Sequence, residues 1–180
     1  TFRNLVGHVK GVSDVRSLAA WTNEQFDPRL SWADVAWVKE QWGGKFILKG
    51  IMDVEDAQLA VKAGADAIVV SNHGGRQLDG APSSIQALPA IVAAVGHQTE
   101  VWMDGGIRSG QDVLKAWALG ARGTMIGRAM VYGVGAMGEE GVAKALQLIH
   151  KELDVTMAFC GHTDIQDVDG KILLPSAVVG

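Results

Sequence analysis

The string Ser71-Asn72-His73-Gly74-Gly75-Arg76-Gln77-Leu78-Asp79 sets an imidazole three positions ahead of a guanidinium. Imidazole is the side chain whose ordinary titration lies nearest neutral pH, so it suits proton abstraction. A guanidinium can hold a carboxylate through two parallel hydrogen bonds. Gly74 and Gly75 let the backbone turn sharply between the two groups. Together His73 and Arg76 suit a reaction at the carbon next to a carboxylate. The plainer alternative is a loop histidine near a surface arginine. That alternative would prevail for an isolated pair, but the full nine-residue string at the end of an apolar run favours chemistry.

Two further segments suit an oxyanion. Asp104-Gly105-Gly106-Ile107-Arg108 carries two glycines that let backbone N–H groups approach a phosphate, with Arg108 adding charge. The helix that starts after Ser109 points its positive end toward the same place. Gly127-Arg128 repeats the arrangement. One glycine-rich turn is weak grounds; two, each with an arginine and each after a strand, are stronger. For Asp104 the plainer role is a helix or loop cap. Lys49 closes an earlier apolar run, where a lysine commonly snorkels to solvent.

The elements that must position these groups follow a regular order. Residues 1–30, with Gly7, Gly11, Asn23 and Pro28, read as a connector holding a short helix around Val15–Phe26. Ser31 with Asp34 has capping-box spacing and opens a helix with Trp32, Val35, Val38 and Trp42 along it. Phe46–Gly50 reads as a strand. Asp53 with Asp56 caps a helix that ends at Gly64. Asp66–Ser71 is a continuous apolar strand, as expected where both faces are buried. After a loop from Asn72 to Pro82, Ser83 with Gln86 caps a helix through Ala94. Glu100–Asp104 is the third strand, and Ser109 with Asp112 caps a helix ending at Gly120. Gly123–Gly127 is the fourth strand. Helical patterns follow, the longest from Glu139 to about Phe159.

Four strands alternating with helices predict an α/β fold with a parallel sheet. In such folds the ligand lies at the C-terminal ends of the strands. The four strands end in Lys49, Ser71, Asp104 and Gly127, so the chemistry falls where the fold would place it. Four units do not close an eight-stranded barrel. The open edges and apolar face need a cover: a missing N-terminal half-barrel, or a second copy in a homo-oligomer.

Composition narrows the classes. A chain of 180 residues with 48% hydrophobic and 20% charged residues is globular. A net charge of −4 supplies no basic field, so no nucleic-acid partner is expected. Five scattered histidines and the single Cys160 show no metal-ligand spacing, so no metal is expected, and one cysteine allows no internal disulfide. No apolar run reaches the roughly 18 residues of a membrane-spanning helix. In the connector Arg3, Lys10 and Arg16 are balanced by Asp14, Glu24 and Asp27, a poor anchor by charge. The expectation is a cytoplasmic protein, at most peripheral to the inner membrane. The chain opens on Thr1, which suggests a boundary ahead of it rather than a natural start. Trp32, Trp37, Trp42 and Trp117 are expected to pack on helices, and Trp102 and Cys160 to lie in the core. His8, His97, His150 and His162 read as surface or structural residues, and Tyr132 has no assigned role.

The string SNHGGRQLD resembles the signature of the FMN-dependent 2-hydroxy-acid dehydrogenase and oxidase family. The likeness runs from about Ser31 to Gly161 and includes LKG at Lys49, DGGIRSG from Asp104 and LGA with IGR between Leu119 and Arg128. The resemblance implies a (β/α)8 TIM barrel, of which residues 31–180 would supply strands five to eight. It implies FMN as cofactor and a small 2-hydroxy acid as substrate, of the lactate, glycolate or mandelate type. His73 would be the catalytic base and Arg76 the carboxylate clamp. Lys49 would sit beside the pyrimidine edge of the flavin and Ser71 near its ring. Asp104 would meet the ribityl hydroxyls, with Gly105, Gly106, Arg108, Gly127 and Arg128 about the phosphate. The aspartate that orients the base and a second carboxylate-binding arginine would come from the other half of the barrel. Residues 1–180 alone are therefore expected to turn over substrate poorly. Another phosphate-binding barrel enzyme or a non-catalytic half-barrel remains as an alternative; the His73–Arg76 pair argues against the first.

Overall fold

The computed structural model describes residues 3–5 and 8–174; Thr1 and the connector's Gly7 lie outside the described residues. The chain divides into two compact units, Thr1–Glu40 and Gln41–Gly180.

The first unit holds α1 (Val15–Gln25) and most of α2 (Trp32–Trp42). Asp14 caps α1 reciprocally with Ser17: its carboxylate accepts from the Ser17 N–H at 2.7 Å, and Ser17 Oγ accepts from the Asp14 N–H at 3.0 Å. The hydroxyl and N–H of Ser17 hold the Asp14 carboxyl below the usual carboxylate range. The amide and hydroxyl of Ser31 both donate to Asp34 at 2.7 Å, as the spacing predicted. Neither helix has a fully buried residue, and Trp37 and Trp42 are exposed rather than packed.

The second unit is a four-stranded parallel sheet in the order β1 (Ile47–Ile51), β2 (Ala67–Val70), β3 (Glu100–Asp104), β4 (Gly123–Met125). Between the strands lie α3 (Val54–Lys62), α4 (Ser84–Val95) and α5 (Gly110–Ala118), and α6 (Arg128–Phe159) follows β4. This is the alternation expected, and it corresponds to half of a (β/α)8 barrel. The register places Leu48, Ile68 and Val101 side by side, and next to them Val70, Met103 and Thr124. This face meets the helices. Ile68, Val70, Val101 and Met103 are buried there, with Leu88 and Ile91 of α4 and Ala57 and Ala60 of α3. Each large aliphatic side chain so buried contributes about 1.5–3 kcal/mol.

The caps fall close to their predicted places. Ser83 with Gln86 and Ser109 with Asp112 form capping boxes. Asp53 caps α3 alone, accepting from the Glu55 N–H at 2.7 Å, without a reciprocal bond from Asp56. The helical pattern after β4 begins at Arg128 and breaks at Gly138 (φ 59°, ψ −134°), so the long stretch starts at Glu139. Across that break a Cβ on Gly141 would overlap the Gly133 carbonyl, so two glycines let the backbones meet. Two core expectations are corrected. Cys160 is exposed, because the chain turns at Gly161 (φ 79°) and Met157 points inward in its place. Trp102 is only half-buried, its ring lying against Gly123 of the neighbouring strand.

Candidate functional site

The C-terminal ends of the four strands open into one cleft of about 660 Å³. Lys49, His73, Arg76, Asp104, Gly105, Gly106, Arg108, Gly127 and Arg128 all line it. Ser71 is buried beneath, 1% exposed.

Strand register builds the floor. Lys49 on β1 lies beside Val69 on β2, which lies beside Trp102 on β3, so Lys49 and Asp104 project on the same side. Lys49 Nζ meets Asp104 Oδ2 at 2.6 Å and donates to Ser71 Oγ at 2.9 Å. The lysine therefore does not snorkel away: a carboxylate and a hydroxyl hold it over the strand ends. The other carboxylate oxygen, Asp104 Oδ1, is buried and has no hydrogen-bond partner among the described residues. A buried carboxylate oxygen normally finds a donor.

The base turn is built from an unusual backbone. His73, Gly74 and Gly75 all have positive φ, at 56°, 67° and 70°. Glycine adopts this conformation freely; a histidine there costs about 1–3 kcal/mol. Four bonds hold the turn, one of them from the Gly75 N–H to the Asn72 carbonyl at 3.0 Å. The His73 N–H donates to Ser71 Oγ at 3.2 Å, the Gly75 N–H donates to Asn72 Oδ1 at 3.2 Å, and Arg128 Nη2 donates to the Gly74 carbonyl at 2.9 Å. Asn72 in turn donates from Nδ2 to the Pro82 carbonyl at 3.1 Å. The His73 and Arg76 side chains are exposed at the cleft.

The two glycine-arginine turns differ. At the start of α5, Asp112 Oδ2 accepts from the N–H groups of Arg108 and Ser109, each at 3.0 Å, and Glu152 accepts from the Gly110 N–H at 3.0 Å. Two carboxylates thus accept from three N–H groups at that helix end, while Gly105, Gly106 and Arg108 still line the cleft. The start of α6 is different: Gly127 precedes it without any side-chain cap, beside Arg128. Gly106 and Gly127 have open space where a side chain would stand.

Sequence reading missed Ser84. It is 2% exposed, and its hydroxyl donates to the Asp104 carbonyl at 2.5 Å. Its only visible signal was its place directly after the Ser83 cap. Asn72 lay inside the signature string, but its bracing of the turn was not legible there. Among the described residues, no group of three His, Cys, Asp or Glu could hold a metal ion, and no helix is long and apolar enough to cross a membrane.

The family model described as FMN-dependent dehydrogenase matches residues 2–175. An L-lactate dehydrogenase of Caulobacter vibrioides (strain NA1000 / CB15N) is 48% identical over 168 residues, covering 93% of this chain and 43% of the relative. A pre-mycofactocin synthase of Mycobacterium tuberculosis (strain CDC 1551 / Oshkosh) is 49% identical over 162 residues, covering 89% of this chain and 41% of the relative. The crystal structure of the monotopic membrane protein (S)-mandelate dehydrogenase superposes with a TM-score of 0.84 at 38% identity, over 92% of this chain and 44% of that one. The chain thus spans less than half the length of each. With a family match across nearly all of its residues, the chain belongs to the FMN-dependent dehydrogenase family.

Proposed function

We propose that this chain supplies the base, the carboxylate clamp and the flavin seat of an enzyme that oxidises a small L-2-hydroxy acid to the 2-oxo acid with FMN. Residues 31–180 would form the second half of its barrel and residues 1–30 the connector before it. The observation that carries the reading is the convergence of His73, Arg76, the Lys49–Asp104 pair and the uncapped Gly127–Arg128 turn on one cleft. The residues fit the cofactor. Asp104 Oδ1 lacks a donor, which a ribityl hydroxyl could supply, and Gly106 and Gly127 leave room at the cleft wall.

In this reading Arg76 pairs with the substrate carboxylate and fixes the 2-carbon near His73. A ring nitrogen of His73 takes a proton from the substrate; the oxidation removes two electrons and two protons in all. Bound FMN would accept the two electrons together with the second proton. Lys49, at the cleft floor, would stabilise negative charge developing beside it. Arg128 and Arg108 would face the phosphate, with the N–H groups at the start of α6. The left-handed backbone at His73 supports a functional turn, since such strain persists where surrounding bonds over-determine it.

A second reading rests on the 49% identity to a pre-mycofactocin synthase. The same base and flavin seat would then act on a substrate other than a small hydroxy acid. The similarity to a monotopic membrane protein supports peripheral attachment to the inner membrane, with the connector as the part to test. The exposed apolar groups Ile47 and Met125 on the two edge strands support a covering half-barrel or a second copy.

The deciding experiment is the visible spectrum of the full-length polypeptide before and after anaerobic L-lactate, glycolate and L-mandelate. Bleaching by one of them is expected. A yellow protein that none of them bleaches moves the assignment to the second reading. A protein that takes up no FMN overturns both.

A further inference from the structure

We propose that Ser84 is a positioning residue for the flavin seat, its buried hydroxyl setting the turn from which Asp104 reaches the cofactor. The inference rests on the proposed FMN reading and names a residue that reading does not use. Ser84 is the first residue of α4, but the cap of that helix is made by Ser83 and Gln86. The Ser84 hydroxyl instead crosses to the neighbouring strand and donates to the Asp104 carbonyl at 2.5 Å, with the Gly105 carbonyl at 3.5 Å.

The turn is shaped around that oxygen. Gly105 has φ +90°, and a Cβ there would stand 2.8 Å from Ser84 Oγ. The hydroxyl therefore occupies the space a side chain would need, so glycine at 105 and the hydroxyl at 84 are matched. Asp104 has its backbone carbonyl on Ser84, one carboxylate oxygen on Lys49, and its second carboxylate oxygen buried without a partner. A carboxylate so constrained can offer that last oxygen to one donor in one direction. The base turn leans on the same helix start, because Asn72 donates to the Pro82 carbonyl two residues before Ser84. Loss of the hydroxyl would free the Asp104 turn while leaving strand pairing and the α4 cap in place.

The test is FMN affinity in the full-length polypeptide, measured by ultrafiltration and quantified free flavin, beside the melting temperature of the apoprotein. Ser84→Ala is expected to weaken FMN binding about tenfold, the scale of one buried hydrogen bond. Ser84→Thr, which keeps the hydroxyl, is expected to restore the parent's affinity. An Ala variant that melts lower but binds FMN as tightly as the parent has lost only a structural contact, and overturns the proposal. If the Ala variant does not fold, Ser84→Cys against Ser84→Thr makes the same comparison, since a thiol is a weak donor. The Cys variant should bind several-fold more weakly, and equal affinities overturn the proposal. A parent protein that takes up no FMN removes the functional reading and this inference together; a parent that binds with indifferent variants removes this inference alone.

Discussion

The two faces of the sheet are built from the same four strands and differ in what completes them. The face toward the helices is sealed: Ile68 and Val70 are 0% exposed, and Val101 is 1%. The opposite face carries Ile47, Lys49, Ala67, Val69, Trp102, Asp104 and Met125; Ala67 and Val69 on an inner strand are 4% and 1% exposed, whereas Ile47 and Met125 on the two edge strands are 43% and 40% exposed. One face finds its apolar partners within its own helices. The other buries the apolar groups of β2, leaves those of its edge strands exposed, and carries a charged, hydrogen-bonded rim above. Stability therefore concentrates on the helix side, and the groups suited to chemistry gather at the rim of the open side. Such a division is expected when strand ends must stay accessible while the sheet still needs a core.

The largest predicted effect separates chemistry from stability. His73→Gln should lower turnover about 10²–10⁴-fold, the range of general acid–base catalysis, while changing unfolding free energy by no more than about 0.5 kcal/mol. Steady-state kinetics with denaturant unfolding checks both; a large loss of stability would place His73 in the fold rather than the chemistry. Next comes the open face. Trp102→Ala in the full-length polypeptide should cost about 3–5 kcal/mol, because a covering half-barrel or second copy would bury the indole. A cost within about 0.5 kcal/mol would mean that this face stays bare. On the sealed face, Ile68→Ala should cost about 2–5 kcal/mol in denaturant titration and leave FMN affinity unchanged. The smallest effect is Ser109→Ala, about 1 kcal/mol by thermal unfolding, since it removes only the α5 cap. A loss of FMN affinity in that variant would mean that the α5 start also serves the flavin seat.

Much of the scaffold was legible because its signals are local. Ser83–Gln86 and Ser109–Asp112 lie three residues apart and act within one helical turn, so their spacing suffices. The continuous run Ala67–Val70 announces a strand buried on both sides. Misreadings arose where exposure depends on what lies across the sheet. Trp102 has the composition of a core residue but is only half-buried beside Gly123. Cys160 follows an apolar run, and only the turn at Gly161 takes it to the surface. At the site, the signature string and the glycine-arginine turns could be picked out, but their partners could not. The carboxylates that close the α5 start include Glu152, 42 residues from Gly110.

The amino-acid order by itself determined the alternation of strands and helices, their caps, and the set of polar groups at the strand ends, because period and capping act over a few residues. Tertiary structure alone decided which of those groups meet. The Lys49–Asp104 pair, the Ser84 bond to the Asp104 carbonyl and the Arg128 bond to Gly74 join residues on different βα units. Each exists because parallel pairing aligned the strands in one register, and no local pattern encodes a register set by the packing of the whole sheet.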